Sequence, residues 1–474
     1  MRFSPSGHSF DLIAIGGGLA GLAAALRGAE LGLRTAVLEA GEGPDYLCSS
    51  RYAAGVFHVS YHDVKLAKAE LIAAINQATG GEAVPQLVEA IAADCRRAVD
   101  WLSGQGAEFT RGSPISWHGW VLAPPRAAVA GPDWRGRGPD RLVDRLAVRL
   151  AEHGGRLFLG TRAEELQMDT GRCVGINARQ GGSAVVYKAG AVVIADGGFP
   201  ANPELFQRYI GPRPDRVLRR NAGTAVGDGL RMALDAGAAA TGLDRFYGHL
   251  LSRDAMTNEA LSPYPQIDAV AAAGIVVGPD GRRLLDEGEG GIAITNRLAR
   301  LADPLCATVV CDAAIWDKAG RAAQVPPNPQ LERAGGTLYR ADTIAALAIA
   351  AGLSPIGLAD TVASYNAAIT AGAIGSLETV RSAKTGMPTA IAEPPFFAIP
   401  ICPAITNTMG GIAIDRDARV LDLDGSPVPG LYAAGGATGG LEGGGAVGYV
   451  GGLIKASVFA LRAAEHAERS ARDG

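Results

Sequence analysis

Short, uninterrupted apolar runs recur at wide intervals along this chain, each closed by glycine or an acid. Leu12–Ile15 and Thr35–Leu38 are the first two, and both read as buried parallel strands. An Ala- and Leu-rich stretch between them keeps a helical period to about Gly32. Helical stretches then continue to about Ser103, residues 112–140 read as irregular loop, and 140–153 regain a helical period. Lys188–Phe199 (KAGAVVIADGGF) is another buried strand, ending in a glycine pair. Gly223–Ala238 reads as a turn into a helix, with Asp228 at its start, placed to cap the helix or to bind a ligand.

The pattern changes between about 241 and 390. Pro279-Asp280-Gly281 predicts a hairpin turn, and TLYRADTIAALAIAAGL and LADTVASYNAAITAGA predict helices opened by Asp or Thr. A last apolar run at 428–434 returns to the earlier style, and 452–472 is strongly helical. The chain therefore reads as a discontinuous α/β domain, residues 1–240 and 391–474, with an α+β domain at 241–390 inserted into it.

The 474 residues are too many for one ordinary core, which agrees with two domains. A net charge of −4 with no runs of Lys or Arg excludes a polyanionic partner, so no nucleic acid is expected. Six scattered cysteines without a C-x-x-C pair suit reduced, mostly buried thiols, and a cytoplasmic location is expected. The N-terminus reaches glycine before it builds a leader-like apolar stretch, and no membrane span is expected.

Gly16-Gly17-Gly18-Leu19-Ala20-Gly21 fits G-x-G-x-x-G between the first strand and the helix. Gly16 permits a tight turn, Gly18 lets backbone approach a pyrophosphate, and Gly21 lets helix and strand pack closely. The helix N-terminus offers free N–H groups and the positive end of a dipole. Glu39, 23 residues after Gly16, falls where a carboxylate accepts from a ribose diol, which favours FAD or NAD over NADP. Near the other end, Leu431–Leu453 holds ten glycines in 23 residues. Such a segment leaves its backbone close to whatever it borders.

Taken together, IGGGLAG, EAG, SSRYAAG, ADGGF, GDGLRMALDAGA, GRRLLDEG, NTMGGIAID and GLYAAGG resemble the fumarate reductase/succinate dehydrogenase flavoprotein family over nearly the whole chain. The spacing around GRRLLDEG and GYVGG is most similar to its tricarballylate dehydrogenase-like branch. The resemblance implies a Rossmann-like FAD-binding domain with an inserted capping domain. It also implies hydride transfer at flavin N5 to or from a carbon beside a carbonyl or carboxylate. The FAD contacts expected from it and from the motifs are Gly16, Gly18, Leu19, Ala20, Gly21, Glu39, Ala40, Ser50, Arg51, Gly55, Ala163, Gly197, Asp228, Gly435, Gly436, Gly452 and Leu453. Covalent members attach flavin through a histidine in the segment matching SSRYAAG. Ser49, Ser50 and Arg51 fill it here, so noncovalent FAD is expected.

Departures from the family pattern shape the expected substrate. Asn407 stands where fumarate reductases place a histidine, Ala446 where an arginine clamps a carboxylate, and Glu442 where another histidine lies. No arginine follows Asp286-Glu287 until Arg297. Succinate and fumarate are therefore disfavoured, and Glu442 repels a carboxylate unless it is paired or protonated. Tyr449, His249 and Asn407 are the expected catalytic residues. Tyr449 acts as base or as hydrogen-bond donor to an enolate, or else packs against the flavin. His249 matches a substrate-binding histidine or is a core histidine. Tyr52 is expected beside the flavin and Arg283 in an ion pair with Asp286 or Glu287, while Arg126, Arg135 and Arg137 lie in the irregular loop, where they either approach the ligand or, by default, stay solvated. His58 and His62 have no further ligands in the sequence, so no metal is expected. A small carbonyl or carboxylate compound is the expected substrate, with the electron partner open. The alternative is an FAD-carrying subunit that has lost the reductase chemistry.

Overall fold

The computed structural model describes residues 8–473. Residues 1–7, part of the segment read above as lacking a leader, lie outside the described residues. The elements that position the site are β1 (His8–Ile15), α1 (Leu19–Glu30), β2 (Thr35–Leu38), α2 (Ser49–Tyr52), β3 (Ser183–Ile194), α3 (Asp228–Asp235), β4 (Phe246–Ser252), β5 (Phe396–Thr408), β6 (Pro427–Ala433) and α4 (Gly452–Asp473).

One sheet has its centre in β2, β1, β3 and β6, side by side and parallel. These strands are buried on both faces, which is why they read as continuous apolar runs. Their register aligns Ile15 with Leu38 and with Ile194, and Ile194 with Ala433. All four strands thus stop at one edge. The next residues, Gly16, Glu39, Ala195 and Ala434, emerge together beyond the carboxyl ends, the usual place for a ligand in an open parallel sheet. Residues 161–194 add an antiparallel meander to the same sheet. Helices α1 and α4 pack on each other, both bury small residues such as Ala23, Ala24, Ala460 and Ala464, and Arg27 Nε donates to Glu465 at 3.0 Å.

A second sheet pairs β4 with β5 antiparallel and carries Ile275–Val277, Thr308–Cys311 and Tyr339–Ala341. Its apolar core runs from Leu250 to Ala404, separate from the core under the first sheet. Residues 396–404, placed in the first domain by the sequence reading, pack in this second core, because β5 is a long strand shared between the two. Phe246 and Ile405 belong to the first core, whereas Leu250 and Ala404 belong to the second. The stretch of β4 between them, with Tyr247 and His249, therefore lies where the chain crosses from one domain to the other. The segment after Ile275–Val277 turns at Pro279–Gly281, with Gly281 N–H donating to Gly278 O at 2.9 Å.

Candidate active site

A cavity of about 900 Å³ lies between the carboxyl edge of the first sheet and the face of the second. That is at the top of the ~300–1,000 Å³ range of cofactor and ligand sites. Its floor is Gly16–Ala20, Glu39–Gly41 and Gly197–Gly198, and its roof includes Tyr247, His249 and Asp268.

Gly16 has φ +101°, and a Cβ there would meet the Ala195 carbonyl oxygen at 2.7 Å, so only glycine makes the turn from β1 into α1. Gly18 faces the cavity, where an added Cβ meets only the Ser50 hydroxyl, at 3.2 Å. This is an open cradle at a helix N-terminus, the arrangement that receives a pyrophosphate. The Leu19 N–H in the first turn of α1 donates to Ser50 Oγ at 3.0 Å. The Glu39 carboxylate accepts from Gly17 N–H and from Gly41 N–H, both at 2.7 Å. Burial pushes its pKa up, and these N–H groups pull it back down. Ala40, Gly55, Ala163, Gly197, Gly435, Gly436, Gly452 and Leu453 all line the cavity. Asp228 also lines it and opens α3, but Gly227 holds the cap position and the Asp228 carboxylate pairs with Arg162 at 2.7 Å.

Two residues expected at the cofactor are elsewhere. Arg51, 3% exposed, turns away from the cavity to pair with Asp140 and with Asp144, the latter at 2.8 Å. Two carboxylates on the helix that follows the irregular loop hold it there. Gly21 faces the sheet, where a Cβ would overlap the Gly16 carbonyl oxygen, so it packs α1 on β1 without bordering the cavity.

The expected catalytic residues do converge. Helix α4 begins at Gly452, and the Gly452 N–H donates to Tyr449 Oη at 2.7 Å. The phenol oxygen is an acceptor in that bond, which leaves its own proton for another partner. Burial raises the Tyr449 pKa well above its usual value, so the group is a neutral donor and not a base. The Tyr449 ring stacks on Tyr247 with centroids 3.7 Å apart. Tyr247 and His249 are two apart on β4 and share a face. Tyr247 Oη and His249 Nε2 lie 2.8 Å apart, and His249 Nδ1 lies 3.1 Å from Asp268 Oδ1. Asp268 accepts the Nδ1 proton, which leaves Nε2 to accept from Tyr247. Burial lowers the His249 pKa against the pull of Asp268, so the imidazole rests neutral. Asn407 is paired with Tyr247 in the β4–β5 ladder beside a register shift, and its Nδ2 donates to Thr408 O at 3.2 Å.

Glu442 does not repel anything in the cavity. It is buried and paired with Lys455 Nζ at 2.6 Å, and it accepts from Val450 and Gly451 N–H at 3.0 and 3.1 Å. Ala446 sits on the exposed tip of the 443–448 loop and does not border the cavity, so its missing charge says nothing about the site. Arg283 pairs with Glu287, as expected. Arg137 pairs with Asp133 at 2.7 Å, Arg135 lies over Trp134, and Tyr52 stacks on Trp134 at 4.7 Å while lining the cavity. His58 stacks on Tyr61 and accepts its N–H, and burial pushes its pKa down to about 3. His62 Nδ1 faces Ser60 O at 2.7 Å.

The sequence reading missed Tyr247, Asp268 and Arg220. Strand alternation in R-F-Y-G-H-L-L was a usable signal for Tyr247, because it puts that side chain beside His249. Asp268 and Arg220 reach the cavity from separate segments, and no local pattern marks them.

A parallel sheet with a glycine cradle and a helix terminus at each end of the cavity defines an FAD-binding flavoprotein with a capping domain. A family model described as an FAD binding domain matches residues 11–448, and the chain belongs to that family, the fumarate reductase/succinate dehydrogenase flavoproteins. It is 29% identical over 386 residues to the NADH:acrylate oxidoreductase of Vibrio harveyi, covering 76% of this chain and 35% of that protein. It is 27% identical over 443 residues to a cytochrome-type fumarate reductase of Shewanella frigidimarina, covering 91% of this chain and 72% of the relative. In structure it is similar to a 3-ketosteroid Δ1-dehydrogenase of Sterolibacterium denitrificans, with a TM-score of 0.73 at 21% identity, covering 98% of this chain and 100% of that one. The chain thus spans only about a third of the length of the Vibrio relative. Among the described residues, no helix is long and apolar enough to cross a membrane.

Proposed function

We propose that this chain is an FAD-dependent oxidoreductase that forms or removes a C–C double bond beside a carbonyl. The observation that carries the reading is the Gly452 N–H to Tyr449 Oη bond beside the Tyr247–His249–Asp268 chain, the Tyr449 ring stacked on Tyr247 and all four side chains lining one cavity. Bound FAD supplies the hydride acceptor or donor. The protein supplies the rest. Tyr449 keeps its proton and donates a hydrogen bond to the carbonyl oxygen of the substrate, and the helix N-terminus behind it favours the negative charge that develops on that oxygen. Tyr247 takes the proton from the carbon next to the carbonyl and passes its own to His249 Nε2. The resulting imidazolium is held by Asp268. In the opposite direction the same protons return along the same path.

The relatives named for acrylate and fumarate reduction act on double bonds conjugated to a carboxyl group, which supports the same bond class here. A dicarboxylate is disfavoured at the Tyr449 end, because Lys455 is already neutralised by Glu442. FAD is bound noncovalently in this reading, since Ser49–Gly55 holds no histidine. Acid precipitation should release all the yellow cofactor, and flavin retained in the pellet would refute that part. Free thiols at all six cysteines support a cytoplasmic location. The test of activity is anaerobic mixing of the holoprotein, oxidised or photoreduced, with cyclic ketones and enones while the 450 nm band is followed. Bleaching or recovery by members of the panel is expected. An unresponsive flavin throughout would favour the silent FAD carrier.

A further inference from the structure

We propose that Arg126 and Arg220 form an anion site in the cavity that holds a carboxylate on the substrate, remote from the reacting carbonyl. This rests on the carbonyl reading above and narrows its substrate class to keto acids and their unsaturated counterparts. The two guanidinium groups flank one ring: Arg126 Cζ is 5.1 Å and Arg220 Cζ 4.9 Å from the centre of Tyr264, and all three residues line the cavity. Neither arginine has a carboxylate partner among the described residues. Arg126 is 8% exposed, its Nη1 donates only to the Tyr52 carbonyl at 3.2 Å, and its Nε is buried without any acceptor. Asp133, an acid of the same loop, is committed to Arg137 and to the Ala127 N–H. Arg220 donates to Pro263 O and Thr406 Oγ1, both at 3.0 Å and both neutral.

A buried cation without a counter-charge is costly, and the same cation becomes a strong, directional donor when a carboxylate arrives. The other lysine and arginine side chains of the cavity wall are matched: Arg162 with Asp228 and Lys455 with Glu442. The unmatched positive charge is confined to the Tyr264 end. Arg220, His249, Tyr247 and Tyr449 line the same cavity of about 900 Å³, so an anion held there shares that cavity with the proton-transfer groups. The pyrophosphate cradle at Gly16–Leu19 is built from other residues.

The test is calorimetric titration of the FAD-loaded protein with 4-oxocyclohexanecarboxylate and 3-(4-oxocyclohexyl)propanoate, each against its methyl ester, and with cyclohexanecarboxylate, which lacks the ketone. At least one keto acid should bind tenfold or more tightly than its ester, and this preference should weaken with added salt. Arg126→Gln and Arg220→Gln should abolish the preference with FAD content unchanged. Acid and ester binding alike in the wild-type holoprotein, which needs no variant, overturns the proposal. So does loss of FAD from the variants, which would assign the site to the cofactor's phosphates. Cyclohexanecarboxylate separates the two claims: binding that needs the arginines and ignores Tyr449→Phe upholds the anion site even where the carbonyl reading fails.

Discussion

The buried pair Glu442–Lys455 anchors the segment that presents Tyr449, and breaking it should show how much of the site depends on one charge. Glu442 is fully buried and Lys455 is 2% exposed on its side chain. One Glu442 oxygen holds the ammonium at 2.6 Å, and the other gathers the Val450 and Gly451 N–H groups just before α4. Lys455→Met leaves a buried carboxylate with only two N–H partners, and Glu442→Gln leaves a buried ammonium. Each single change should cost about 3–5 kcal/mol, most of it the penalty of an uncompensated charge. The double variant removes both charges, keeps an amide oxygen for the two N–H groups and fills the space of the lysine stem. It should lie within about 1–2 kcal/mol of wild type. Thermal and urea denaturation of the four proteins, loaded with FAD and stripped of it, gives the coupling directly. Additive losses in the double variant would refute the reasoning, since they would mean that each side chain acts by packing alone.

Other outcomes follow from the same geometry. Asp196 lines the cavity, accepts from Gly229 N–H at 2.7 Å, and has its pKa raised by burial from 3.8 to about 7. Its contribution to stability is therefore full below 3.8 and lost as the pH climbs through about 7, a swing of at most ~4 kcal/mol. Asp196→Asn should raise the melting temperature of the FAD-free protein at pH 8 but not at pH 4.5, and parallel curves for the two proteins would contradict this. Gly21→Ala should push α1 off β1 through the Gly16 carbonyl and abolish the 450 nm band, which the ratio of absorbance at 450 and 280 nm will report. Asp268→Asn should slow turnover while keeping FAD, and its pH–rate profile should change shape, because the proton on His249 Nδ1 loses its anionic partner. An unchanged profile would remove His249 from proton transfer.

What the sequence disclosed depended on how local each signal was. The FAD-binding half was legible because its chemistry is made by backbone: Gly16, Gly18, Gly197 and Gly435 occupy turns that follow apolar strands, and both features are local. Glu39 was legible by position, although its carboxylate also ties together Gly17 and Gly41. Arg51 was misread because its partners, Asp140 and Asp144, come from a helix some ninety residues on. The shared strand β5 blurred the second boundary, since one continuous run of apolar residues serves both cores. Ala446 drew attention as a lost cation, whereas the cations of the cavity, Arg126 and Arg220, come from segments with no motif.

The most direct measurement is the single-turnover rate of the flavin at 450 nm, wild type against Tyr449→Phe, with the same keto acid or its unsaturated counterpart. If the hydroxyl held by the Gly452 N–H polarises the carbonyl, the variant should keep its FAD and slow by about tenfold or more. Equal rates in the two proteins would return Tyr449 to packing and contradict the account.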